Sequence, residues 1–164
     1  MTLVLFQTTI YILPTIVEDI DTNKNQIFSL LSKIRGKAGR NIEKELLLNG
    51  IKGLESSHGA IIAVLFRNGG KLKMKEIADL IHRDKSTVTY LVKSLIKEGY
   101  VIREKSNEDS RETYIVLTKQ AWDIKDKFWV ISRKVLLAAY SGFSKEEQDT
   151  LMQLLNRIDD NLPD

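Results

Sequence analysis

The chain has 164 residues, enough for one domain with a real core or for two small units sharing one. Its hydrophobic share of 43% and charged share of 29% fit an ordinary globular protein, and the lack of cysteine excludes disulfides, thiolate metal sites and thiol-based oxidation sensing. A formal charge of +3 is too small for a purely electrostatic nucleic-acid binder, so the placement of charge matters more than its total.

Residues 1–17 are uncharged and largely apolar, with Pro14 among them. They lack the basic start and small-residue cleavage site of a secretory signal, and they are shorter and more polar than a membrane span of roughly 20 residues. Residues 1–22 are therefore expected to form a packed amino-terminal arm, with a signal or membrane anchor as the alternative. The expected location is the cytoplasm, with no membrane partner. A helix follows from Asn23 to Leu48, with Ile27, Leu30, Leu31, Ile34 and Ala38 at spacings of three and four. Gly36 and Gly39 weaken its continuity. After a turn over 49–53, Ser56 or Ser57 is placed to cap a helix that runs to Arg67. That helix is apolar on most sides and so belongs in a core. Asn68-Gly69-Gly70 ends it.

Two short helices come next. The first spans Lys73 to His82 and is expected to bury Ile77, Ala78 and Ile81. Asp84 is suited to cap the second, which runs to Glu98 before Gly99. A link this tight forces a steep crossing, the geometry of a helix-turn-helix. The period then changes to that of strands at Tyr100–Lys105 and Glu112–Leu117, separated by the polar run 106–111. A long helix from Thr118 to Tyr140 carries Trp122, Phe128, Ile131, Val135 and Leu136. Ser144 with Glu147 forms a capping box for a last helix with Leu151, Leu154, Leu155, Ile158 and Leu162. A small monomer could hardly cover that narrow stripe, which points to a homodimer. The fold class is mainly α with a small β-hairpin wing. It comprises a winged helix-turn-helix over 56–118 and a helical dimerisation region over 23–55 and 119–164.

On the second short helix, Val88, Leu91, Val92 and Leu95 share one face at a hundred degrees per residue. Ser86, Tyr90, Lys93, Ser94 and Lys97 lie opposite, with Thr87 and Thr89 on the flanks. That outer face carries no carboxylate before Glu98. Its hydroxyls suit base edges or phosphates and its lysines suit phosphate or guanine, while the helix N-terminus offers amides to a phosphate. The candidate contacts to double-stranded DNA are Ser86, Thr87, Thr89, Tyr90, Lys93 and Lys97. Residues 71–111 hold ten basic against seven acidic residues, a local excess equal to the whole net charge of +3.

The run from Met74 to Glu104, with Asn107 to Thr118, resembles the MarR family of winged-helix repressors. The order of elements agrees over roughly residues 25–160. The resemblance implies a homodimer on a pseudo-palindromic operator, in many members released by a small-molecule ligand. The family's wing carries an acidic–x–arginine element, matched here by Asp109-Ser110-Arg111. It implies that Arg111 enters the minor groove, whose negative potential suits a guanidinium, with Asp109 orienting it. An exposed Asp–Arg pair that merely holds the hairpin tip is the alternative. Glu108 and Ser110 stand where the commoner wing has proline and glycine.

A small aromatic or lipophilic effector would sit where the first, core and long helices meet the DNA-binding unit. His58, Trp122 and Phe128 are its candidate liners, with plain core as the alternative for each. No nucleophile–base pair, paired carboxylates, phosphate loop or metal-ligand spacing is present, so neither an enzyme nor a cofactor is expected. A winged helix serving only as a protein-interaction module is the alternative function.

Overall fold

The computed structural model describes residues 26–105 and 112–163. The expected arm over 1–22 and the wing residues Asp109 and Arg111 lie outside the described residues. The chain forms two compact units, Met1–Gly39 and Arg40–Asp164.

Helix α1 (Ile27–Leu48) is continuous, so Gly36 and Gly39 do not interrupt it. In the first unit Phe28, Leu30 and Ile34 are exposed. In the second, Leu46 is buried, and the Glu45 carboxylate meets Lys134 Nζ at 2.7 Å.

A 3-10 turn, Ser56–His58, leads into α2 (Gly59–Arg67). The capping differs from expectation, because neither serine caps. Ser56 Oγ donates to Glu43 Oε1 at 2.8 Å and Ser57 Oγ to Glu55 Oε2. The turn is closed instead by Glu55 N–H donating to His58 Nδ1 and His58 N–H donating to the Glu55 carbonyl, both at 3.1 Å. Ile61, Ile62, Leu65 and Phe66 of α2 are buried at the centre of the core.

A three-residue strand absent from the sequence reading, β1 (Lys71–Lys73), follows, then α3 (Met74–Leu80), α4 (Lys85–Lys97), β2 (Val101–Lys105) and β3 (Thr113–Leu117). The sheet is antiparallel with order β1-β3-β2, so the expected hairpin gains a third strand. Leu72 and Arg103 both pair with Ile115, on opposite edges of β3. Ile115, Val101 and Leu117 turn into the core against α2 and α4. This is the predicted winged helix-turn-helix, mainly α with a small sheet.

The expected long helix over 118–140 is two helices, α5 (Lys119–Asp123) and α6 (Lys125–Ala139). They meet at Ile124, whose φ of −98° and ψ of −1° lie at the edge of the right-handed helical region, and whose N–H donates three residues back to the Ala121 carbonyl. The break separates Ala121, docked beside β3, from Phe128 and Ile131, which are buried further along. Last comes α7 (Lys145–Asp160), capped as expected: Ser144 Oγ accepts from Glu147 N–H, and Glu147 accepts from Ser144 N–H at 2.7 Å. No residue of α7 is buried.

Candidate nucleic-acid interface

Helix α4 is fixed at both ends and along one face. At its start the Asp84 carboxylate accepts Thr87 N–H at 2.8 Å, Thr87 Oγ1 at 2.6 Å and Ser86 Oγ. These bonds, Ser86's first and then Thr87's, hold the Asp84 carboxyl well below the usual carboxylate range. The start of α4 is therefore occupied by its own anion. Open amides for a phosphate are expected at this helix start, and the cap takes one of them, the Thr87 N–H. At the other end Gly99 takes φ +80°, a conformation that penalises any side chain, and Tyr100 N–H turns back to the Leu95 carbonyl at 2.9 Å. Thr118 ties this corner to the sheet: its Oγ1 donates to the Gly99 carbonyl at 2.7 Å, and its N–H to the Tyr100 carbonyl. Tyr100 is buried and its hydroxyl donates to the Lys52 carbonyl at 2.7 Å.

Between the two ends, Val88, Val92 and Leu95 are fully buried and Leu91 partly so, as the phase predicts. Burial of each such side chain stabilises by about 1.5–3 kcal/mol, which pins the rotation of the helix. The opposite face is thereby held toward solvent. Tyr90 is 72% exposed, Ser86, Lys93 and Lys97 are exposed, and Thr87 and Thr89 are half-buried. Ser86, Thr89, Tyr90 and Lys93 line one open concavity together with Lys85. The sequence reading missed Lys85 because it sits at the first helical position, beside the cap. Thr89 Oγ1 donates to the Lys85 carbonyl at 2.7 Å.

The basic excess of this region is unevenly available. Lys71 is paired with Glu104 at 2.6 Å and Lys73 with Glu112 at 2.5 Å, and both lie over the Tyr114 ring. Among the described residues, Arg83, Lys85, Lys93 and Lys97 form no ion pair.

The three candidate ligand residues do not gather. Trp122 and Phe128 both pack on Phe66, with ring centroids 5.5 and 5.6 Å away, and Trp129 completes the cluster. Arg67 lies 5.2 Å from the Trp129 ring and Lys125 5.1 Å from that of Trp122. Trp122 keeps 39% of its surface exposed, whereas Phe128 keeps 6%. His58 is buried at the other end of α2, roughly 12 Å from Phe66 along the helix at 1.5 Å per residue. Burial pushes its imidazole below the usual histidine range, against the pull of Glu55 and Glu98. Phe66, Arg67, Lys125 and Trp129 were missed because their meeting depends on where α5 and α6 dock, which no local pattern encodes.

A capped helix on a tight turn, with a polar outer face and a small antiparallel sheet beside it, defines a winged helix-turn-helix protein. The profile of the MarR family matches residues 54–113. The HTH-type transcriptional regulator SarZ of Staphylococcus aureus is 32% identical over 103 residues, covering 63% of this chain and 69% of that protein. Among solved structures, the S. aureus MepR–DNA complex superposes with TM-score 0.72 at 20% identity, covering 83% of this chain and 98% of that one. The organohalide-sensing RdhR regulator in its 2,4-dichlorophenol-bound form superposes with TM-score 0.76 at 20% identity, covering 87% and 82%. The chain belongs to the MarR family of DNA-binding transcriptional regulators. The family and these relatives are regulators of transcription rather than enzymes. No helix among the described residues is long and apolar enough to cross a membrane.

Proposed function

We propose that the protein is a homodimeric repressor that places α4 of each protomer in the major groove of a pseudo-palindromic operator, with half-sites about one helical turn apart. The observation that carries this reading is the outer face of α4. Tyr90, Lys93 and Lys97 stand exposed there, with no hydrogen bond or ion pair among the described residues, while the inner face is locked in the core. Lys93 and Lys97 serve phosphates, Ser86, Thr87, Thr89 and Tyr90 serve base edges, and Arg111, oriented by Asp109, serves the minor groove. Residues 56–118 are the DNA-binding domain, residues 23–55 and 119–164 the dimerisation region, and residues 1–22 an arm that extends it.

A small aromatic effector releases the operator in this scheme. The cluster of Phe66, Trp122, Phe128 and Trp129, flanked by Arg67 and Lys125, supports an aromatic acid as ligand. The RdhR regulator binds 2,4-dichlorophenol, which supports a small aromatic ligand here.

Selection of bound sequences from a random DNA pool tests the operator reading. A two-fold motif is expected. Lys93→Ala should weaken binding to every sequence and lower the slope of log affinity against log salt by about one. Thr89→Ala or Tyr90→Ala should change base preference instead. Unchanged operator affinity after replacement of Lys93, Tyr90 and Arg111 together would show that α4 and the wing do not dock on DNA.

A further inference from the structure

Resting on that docking of α4, we propose that Ser86 and Thr89 read the operator only as hydrogen-bond acceptors, taking protons from the exocyclic amino groups of adenine or cytosine. A hydroxyl has one proton to give and two lone pairs to receive with. In both residues the proton is already committed inside the protein. Ser86 Oγ donates to Asp84 Oδ1, and Thr89 Oγ1 donates to the Lys85 carbonyl at 2.7 Å. Asp84 cannot be the donor, because its carboxyl is held ionised and a carboxylate only accepts. Thr87 is committed in the same way, to Asp84 Oδ2 at 2.6 Å, but lies outside the concavity.

Ser86 and Thr89 share that concavity with Lys85, Tyr90 and Lys93. The surface is thus divided by chemistry. Lys85 and Lys93 can only donate, and the Tyr90 hydroxyl has no partner among the described residues. The two aliphatic hydroxyls present lone pairs. In the major groove, N6 of adenine and N4 of cytosine are the donors, while N7 and O6 of guanine and O4 of thymine are acceptors. Ser86 and Thr89 therefore face the amino-bearing base of a pair, while Tyr90 serves base acceptors and Lys85 and Lys93 serve phosphates. This fixes the polarity of readout at those positions as well as its location.

The test uses the full chain and the operator selected from a random pool. Single adenines are replaced by purine and single cytosines by 2-pyrimidinone, each deleting only the amino group. In parallel, 7-deaza bases delete only N7. These are combined with Ser86→Ala and Thr89→Val, which remove a hydroxyl at nearly constant shape. At the facing base, the loss of hydroxyl or amino group should each weaken binding by about three- to tenfold. The two together should weaken it no further than either alone, while 7-deaza losses at the purine of the same pair should multiply with the variant's. Asp84→Ala frees the Ser86 proton and should newly couple Ser86 to N7. Coupling of Ser86 and Thr89 to N7 in the unaltered chain, or to no base group at all, overturns the acceptor assignment while leaving the docking of α4 intact. A chain that selects no sequence removes the docking itself, and the assignment with it. Circular dichroism and an unchanged salt slope show that each variant is folded and engages phosphate as before.

Discussion

Two histidines carry residue-level consequences that differ in kind. His58 is 1% exposed and its Nδ1 accepts the Glu55 N–H, so the neutral ring closes the turn before α2. Its folded pKa lies below the unfolded value of about 6.5. The unfolded chain therefore binds the extra proton first, and stability that is complete above about pH 6.5 is lost as pH falls toward the folded pKa. The melting temperature should decline between pH 7 and pH 5, before ordinary carboxylates titrate near pH 4. His58→Gln should flatten that decline, and an unchanged slope in the variant would remove His58 as its cause. Any loss from Asp84, whose pKa is also depressed, begins only below about pH 3.9.

His82 poses a backbone question instead. It sits in the turn between α3 and α4 with φ +49°, the left-handed region that a side chain resists by about 1–2 kcal/mol. Glycine removes that strain but adds freedom to the unfolded chain, worth about 0.4–1 kcal/mol. His82→Gly should therefore stabilise by about 0.5 kcal/mol in a denaturant titration, while His82→Ile, whose branched Cβ suits this region least, should destabilise. An equal response to both would mean that strain at His82 is not what sets stability here.

Among the elements, those whose signals are local were legible in the sequence. The phase of α4, its Asp84 cap and its stop at Gly99 needed only spacing and capping rules, and the Ser144–Glu147 box was equally plain. The elements that tertiary contacts decide were not. Lys71-Leu72-Lys73 is too short to show a period and becomes a strand only because β3 offers it an edge. The break at Ile124 has no glycine or proline to announce it. The candidate site divided in the same way. The outer face of α4 could be read residue by residue, but the commitment of its hydroxyl protons depends on rotamers, and the aromatic cluster on docking.

Gly70 shows how such docking is enforced. Its φ is +85°, its N–H donates to the Leu65 carbonyl at 2.7 Å, and its carbonyl accepts from Leu117 N–H at 2.8 Å. A Cβ there would stand 2.6 Å from the Trp122 ring. Gly70→Ala should thus cost about 1–3 kcal/mol in denaturant titration and shift the Trp122 fluorescence. Retention of both would mean that α5 does not rest on this turn.

For the molecule as a whole, the largest unexplained feature is apolar surface. Leu151, Met152 and Leu154 on α7 are exposed, as are Leu162 just beyond it and Val130, Leu136 and Leu137 on α6. The α7 positions recur at three and four, with Leu155 and Ile158 half-buried between them, so they form one stripe along a helix with no fully buried residue. A stripe of this kind marks an interaction surface, and a second copy of the chain is the partner that the proposed two-fold operator would require. Wild-type protein should sediment as a dimer at micromolar concentration. Leu154→Glu places a charge on the stripe without touching the core of the winged helix, and should yield a folded monomer by sedimentation and circular dichroism. Because one α4 alone forfeits the gain of joined binding, operator affinity should fall about a hundredfold or more, while the chemistry read at each half-site stays the same. A Leu154→Glu protein that remained dimeric would move the interface off α7. A monomeric variant with full operator affinity would instead show that the two half-sites are bound independently.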